Sequence, residues 1–327
     1  MSTEMPQVTA TQRYNTFDYL RLFLALEVVY FHASRSCVGH SYPMMLVPVP
    51  SFLAISGYMI LQSWRTSSGP GIFWIKRGTR ILPAFLCSFV LVGVLHGSHN
   101  VWRAFLNWLS FGQIWSVNTP LWSLSCEEVI YLALSVCCTL ALVNRRGVAI
   151  VAAVLSAVYL IFSYVHPTHG LDYLALPMAF SLGLFAREYE WTFRRLDCLF
   201  VTAYLLMLFG LIHPSYPVWT FFSCVATLVI GRNTYRLPPL PADYSYGIYV
   251  YHMPIIVFLA RYRLDSSAFV LCLILGVAAV VVTSFHLVES PVMRLRSRWV
   301  HSKRASESSV LVRETLQHPA QEPASSP

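Results

Sequence analysis

The chain has 327 residues, of which 56% are apolar and 12% charged; its mean hydropathy is +0.56 and its formal charge +8. So few charges, about half the share of a soluble domain, cannot clothe a water-facing surface, and disorder is excluded except at the ends because disordered chains are polar. The apolar residues come in long blocks, and the class that remains is a polytopic membrane protein.

Residues 1–16 are polar and form a short N-terminal segment. The first apolar block is too long and too charged for a signal-peptide core, so no cleavable signal is expected. A bilayer core of about 30 Å takes about 20 mostly apolar residues per helix. Blocks of that kind predict ten spans, at 17–37, 44–62, 80–97, 120–143, 148–165, 171–187, 197–213, 217–231, 243–260 and 267–288. The stretch 101–118 holds Trp102, Trp108 and Trp115 and is only weakly apolar, which predicts an interfacial or re-entrant segment. The expectation is an all-α transmembrane bundle over 17–295, followed by a tail over 296–327. That tail begins basic and becomes rich in Ser, Glu, Pro and Gln, a composition that does not fold alone.

Lys and Arg fix the orientation. With the N-terminus inside, inner segments hold Arg13, Arg65, Lys76, Arg77, Arg145, Arg146, Arg187, Arg194, Arg195, Arg232 and Arg236. The tail adds Arg294, Arg296, Arg298, Lys303, Arg304 and Arg313, while outer segments hold only Arg35, Arg103, Arg261 and Arg263. Both termini are therefore expected in the cytoplasm, and the inner bases face anionic membrane lipids. Scattered bases of this kind do not suit a nucleic-acid partner. The eight cysteines lie in or beside apolar stretches without paired CxxC spacing, so they read as free thiols and no metal site is expected.

Ionisable groups within spans are costly and therefore candidates for function. The first span, FDYLRLFLALEVVYFHAS, carries Asp18, Arg21, Glu27 and His32. Arg21 and His32 are eleven residues apart, so they share one helix face about 16 Å apart along the axis. Asp18 can pair with Arg21 one turn on, and Glu27 points elsewhere. A lone intramembrane His often does no more than hydrogen-bond between helices; the aligned Arg favours a functional one. In FWIKRGTRILPAF, Arg77 and Arg80 can face one ligand, and guanidinium forks suit phosphate. On spacing alone, a topogenic cluster beside Lys76 is the stronger reading there.

NTPLWSLSCEEVIYL opens a span with Trp122, Ser123, Ser125, Glu127 and Glu128. Ser123 is a reasonable N-cap, and the adjacent acids lie on different faces, so one of them looks into the bundle. ADYSYGIYVYHMPII offers Tyr246 and His252, with an aromatic belt as the plain alternative. Glu289 and Pro291 in HLVESPVMRL read as a helix stop ending the last span.

These blocks, in this order, resemble the membrane-bound acyltransferase-3 family of sugar O-acyltransferases. PSFLAISGYMI is similar to its second-span Ser-Gly block, KRGTRILP to its R-x-x-R-I-x-P motif, and LWSLSCEEVIYL to its Trp-Ser block with a following acid. DYSYGIYVYHMPI resembles its late Ser-Tyr-to-His block and VESP its terminal E-x-P. Departures are Ser51-Phe52-Leu53 where two aromatics are usual, Cys126 where Val is common, and the doubled glutamate, which leaves Glu127 and Glu128 both open.

The resemblance implies His32 as catalytic residue, Arg21 as its partner, Arg77 and Arg80 on the acyl donor, and Glu127 as the acid of the Trp-Ser block. Asp18, Trp122, Ser125, Glu128, Tyr246 and His252 remain as acceptor or structural positions. It further implies acyl-CoA, acetyl-CoA in the typical member, as co-substrate with no bound cofactor. The implied acceptor is a surface polysaccharide or lipid-linked glycan, and the implied site a bacterial inner membrane. His32 would act either as general base on the acceptor hydroxyl or as a covalent acyl carrier. The rival class is a proton-coupled secondary transporter, which uses similar intramembrane charges but usually shows an internal repeat.

Overall fold

A computed structural model of the chain describes residues 15–39, 44–166, 173–189, 197–213, 215–233 and 237–299. Arg13, Arg194, Arg195, Arg236, Lys303, Arg304 and Arg313 lie outside these residues, as do most of the N-terminal segment and the tail from 300. The described residues are helical and contain no strand. The helices are α1 (Asn15–Val38), α2 (Pro48–Arg65), α3 (Pro70–His96), α4 (Ser98–Leu109), α5 (Leu121–Thr139), α6 (Arg145–Val165), α7 (Ala175–Glu188), α8 (Asp197–Leu208), α9 (Tyr216–Asn233), α10 (Ser245–Leu259) and α11 (Ser266–Ser284).

Each of the ten apolar blocks falls on a helix, and the Trp-rich stretch opens on the twelve-residue α4. Among the described residues four helices are long and apolar enough to cross a membrane: α3, α5, α6 and α11 with its continuation to Trp299. The others are shorter or more polar; α1 has the length but carries Asp18, Arg21 and Glu27. The outward faces of α6 and α11 are apolar, with Ile150, Val154, Ile161, Leu271 and Leu275 exposed, as suits contact with lipid.

Helix ends gather at two poles. At one, Arg80 of α3 pairs with Asp243 just before α10, and Arg65 of α2 meets Glu188 of α7 at 2.5 Å. There too Arg296 reaches the carbonyl of Lys76 at 3.4 Å, and Lys76 Nζ reaches that of Thr66 at 3.4 Å. At the opposite end of α3, Arg261 donates to His96 Nδ1 at 2.5 Å, and His96 Nε2–H donates to the carbonyl of Pro254 at 2.8 Å. Thus α3 and α10 run in the same direction from the arginine-rich pole.

The closest seam is α2 against α7. A Cβ on Gly57 would stand 2.1 Å from the carbonyl oxygen of Phe180, and one on Gly183 would stand 2.1 Å from that of Ala54. Small residues let two backbones meet where lipid offers no hydrophobic drive, which explains physically the glycine of the Ser-Gly block. Within α10, Pro254 cannot donate to the carbonyl of Val250, and Asn118 Nδ2 donates to it instead at 3.2 Å.

Two local expectations are corrected. Ser123 is not the N-cap of α5, which begins at Leu121 after Pro120; the Ser123 hydroxyl lies inside the helix and contacts the Pro120 carbonyl at 3.1 Å and the Tyr249 hydroxyl at 2.7 Å. Glu289 and Pro291 do not stop the last helix. It runs from Ser266 to Trp299 through a π turn at Phe285–Glu289, where the Ser290 N–H bonds to the Phe285 carbonyl. The wider turn accommodates a proline that would break a regular α-helix.

Candidate active site

Five helices surround a cavity of about 80 Å³ near the arginine-rich pole. Helical spacing explains its lining. α1 gives Arg21; α2 gives Val49, Phe52, Leu53 and Ser56; α3 gives Arg77, Arg80 and Ile81. α5 presents Ser123, Glu127 and Tyr131 from successive turns, and α10 presents Ser245, Tyr246 and Tyr249.

The polar groups are tied to one another. Glu127 Oε1 accepts from Ser56 Oγ at 2.9 Å and from the Tyr131 hydroxyl. The Arg77 guanidinium stands over the Tyr131 ring, 5.6 Å from its centroid, and its buried Nε has no hydrogen-bond partner among the described residues. Arg21 pairs with Asp18 at 3.5 Å. Asp243, paired with Arg80, also accepts from Ser245 Oγ at 2.5 Å. A second cavity of about 350 Å³ adjoins the first and shares Arg21, Arg80 and Tyr246 with it; Asp18, Asp243 and Glu289 line its other sides.

At the inner end, Phe52 meets Tyr249 edge to face at 5.7 Å, and the Tyr249 ring lies 6.1 Å from that of His252. His32 packs against His252, with ring centroids 5.4 Å apart. His32 is not among the residues lining the cavity; it lies further along α1 from Arg21 and packs against His252.

The expected site residues thus divide. Arg21, Arg77, Arg80, Glu127 and Tyr246 share one cavity, Asp18 lies in the adjoining one, and His32 and His252 meet each other. Glu128 instead lines a neighbouring, mostly apolar groove of about 440 Å³ with Trp108, Val129 and Leu132, which Arg77 and Tyr131 separate from the cavity. Ser125 donates to the carbonyl of Trp108, and Trp122 packs edge-on against Tyr173, so both hold the scaffold. Glu27 accepts from the backbone N–H of Met45 at 2.6 Å and of Leu46 at 3.1 Å, fixing the approach to α2. Among the described residues no three His, Cys, Asp or Glu side chains are grouped to hold a metal ion, and the eight cysteines are free.

Ser56, Tyr131 and Asp243 are the site residues that sequence reasoning passed over. Tyr131 was accessible through its place one turn after Glu127. Asp243 was accessible as an acid just before a span on the side where Arg80 lacked a partner.

A family model described as an acyltransferase domain matches residues 14–288. The chain belongs to the acyltransferase-3 family. This acyltransferase is 26% identical to nodulation protein 10 of Rhizobium leguminosarum bv. viciae, over 88% of its own length and 95% of that protein's. It is 24% identical to an O-acetyl transferase of Shigella phage Sf6, over 74% of its own length and 84% of the relative's. The acyltransferase MdmB of Streptomyces mycarofaciens shares 29% identity over 35% of this chain and 36% of its own. No solved structure gives a significant match.

Proposed function

We propose that this acyltransferase is an integral-membrane O-acyltransferase that moves an acyl group, acetyl above all, from cytoplasmic acyl-CoA to a hydroxyl of a sugar-containing acceptor. The observation that carries the reading is the convergence of Arg21, Arg77, Arg80 and Glu127 on one cavity. Arg21 and Arg80 already hold carboxylates, whereas the buried Arg77 Nε has no hydrogen-bond partner among the described residues, so Arg77 is best placed to receive a donor phosphate. The O-acetyl transferase named among the relatives supports acetyl as the group moved.

His32 is the base in this reading. The acceptor oxygen attacks the thioester carbonyl carbon as an imidazole nitrogen takes the hydroxyl proton. The carbon–sulfur bond then breaks, and the leaving thiolate takes a proton back from the imidazolium. His32 lies about 16 Å along α1 from Arg21, a span that suits a long pantetheine arm anchored at the arginines.

The ten-span reading, with both termini in the cytoplasm of a bacterial inner membrane, puts the arginine-rich pole where acyl-CoA is found. A reporter fused after residue 327 is expected to read cytoplasmic, and a periplasmic signal overturns that topology. Deleting the gene and comparing surface glycans by mass is expected to remove one acyl increment. Unchanged acylation of every glycan and small glycoside overturns the function.

A further inference from the structure

Beyond the arginine cavity, α1 and α10 bring together a half-buried histidine, His32, and a fully buried one, His252. His252 is 0% exposed. Its Nδ1 lies 2.8 Å from the carbonyl oxygen of Tyr249 and 3.1 Å from that of Ile248. A carbonyl oxygen can only accept, so Nδ1 carries the proton and Nε2 keeps a bare lone pair. That Nε2 is buried and has no hydrogen-bond partner among the described residues. A buried acceptor of this kind calls for a donor.

The ring beside it is His32, with centroids 5.4 Å apart. Two imidazoles joined edge to edge by an N–H···N bond of about 3 Å have centroids roughly 5.3 Å apart. The separation fits; the bond is not made in the structure, and rotation of the half-buried His32 ring about its broad terminal torsion completes it. The Tyr249 hydroxyl, whose ring lies 6.1 Å from that of His252, is engaged with Ser123 at 2.7 Å.

We infer that His252 is a positioning residue for His32: its Nε2 accepts a hydrogen bond from one ring N–H of His32 and leaves the other His32 nitrogen bare toward the acceptor hydroxyl. The inference rests on His32 being the base of the proposed reaction. The pairing follows the general pattern in which a base is held in one tautomer by a third group. A neutral imidazole does this inside a membrane without the desolvation cost of a buried carboxylate. When His32 takes the acceptor proton, the charge stays on His32, and its second N–H remains bonded to His252. The proton taken from the acceptor then passes to the departing thiolate, the N–H shared with His252 stays in place, and His252 ends as it began.

The test uses the full-length protein in lipid nanodiscs. Nitrogen-15 resonances of labelled histidine are expected to show His252 protonated at Nδ1 and bare at Nε2, and His32→Ala is expected to shift the Nε2 signal. A protonated Nε2, or a signal indifferent to His32→Ala, overturns the pairing. In turnover with acyl-CoA, His252→Leu is expected to lower kcat by about 10–100-fold with the KM for acyl-CoA unchanged. His252→Gln, which keeps an acceptor oxygen near the position of Nε2, is expected to stay within about fivefold of wild type. A leucine variant within about twofold of wild type, or a glutamine variant that falls as far as leucine, overturns the positioning role. A wild-type protein that transfers no acyl group overturns the proposed function instead, while the resonance measurement on His252 still decides the pairing.

Discussion

The two ends of α1 solve the same problem in opposite ways. Near its start Arg21 carries a full charge, and the structure surrounds it with charge: Asp18 at 3.5 Å, and Arg80 with its own partner Asp243 on the shared cavity wall. Further along, His32 is met by the His252 ring, whose bonds among the described residues run to backbone carbonyls and not to a carboxylate. The first end gathers charged partners, and the second sets one imidazole against another. The difference teaches that intramembrane polarity is not one feature. Charge is kept where it is balanced at a pole, and titratable but uncharged groups are kept where the bundle is packed.

That contrast can be broken in order of severity. Replacing Gly57 with Leu forces a side chain into the Phe180 carbonyl of α7, and overpacking against backbone costs about 3 kcal/mol or more. Folded protein recovered in detergent is expected to fall sharply for Gly57→Leu, with both ends of α1 lost together; normal yield would show that the α2–α7 seam does not hold the site. His32→Ala is expected to lower acyl transfer by about 10²–10⁴-fold while membrane insertion stays normal. Full turnover in that variant removes the histidine end from the chemistry.

Arg77→Ala is expected to raise the KM for acyl-CoA by about 10–100-fold, the worth of one charge-assisted contact, with little change in the KM for acceptor. An unchanged dependence on acyl-CoA concentration would mean that the pole does not hold the donor. The two glutamates give the finest cut. Glu127→Gln, which disturbs the bonds from Ser56 and Tyr131 inside the cavity, is expected to lower activity about tenfold. Glu128→Gln, facing the groove beside Trp108, is expected to change it by less than about twofold. Equal effects in an activity assay would erase the distinction between the two faces of α5.

Much of this was legible in the chain. Apolar blocks of span length became helices because few other structures suit such runs, and Arg21, Arg77, Arg80 and Glu127 were found from spacing and motif order before they were seen on one cavity. What was not legible depends on which distant segments meet. Ser56 reaches Glu127 across 71 positions and Asp243 reaches Arg80 across 163, and no local period encodes such pairs. Ser123 looked like a cap because caps are recognised by residue type, but the Tyr249 hydroxyl took its side chain. The acids at 127 and 128 were separable into two faces by helix geometry, yet which face met the arginines depended on how α5 was rotated against α3.

The π turn at Phe285–Glu289 holds, in effect, one surplus residue in an otherwise regular rod. Excising a single residue there would restore ordinary winding and leave the stretch beyond it facing as it does now, because the wider turn absorbs the extra residue without rotating the helix that follows. Arg296 would keep the carbonyl of Lys76, and the rod would lose only its loosened turn just before Pro291. The segment therefore works as slack: it takes up one residue and a proline while the last helix still meets the arginine-rich pole at the same angle.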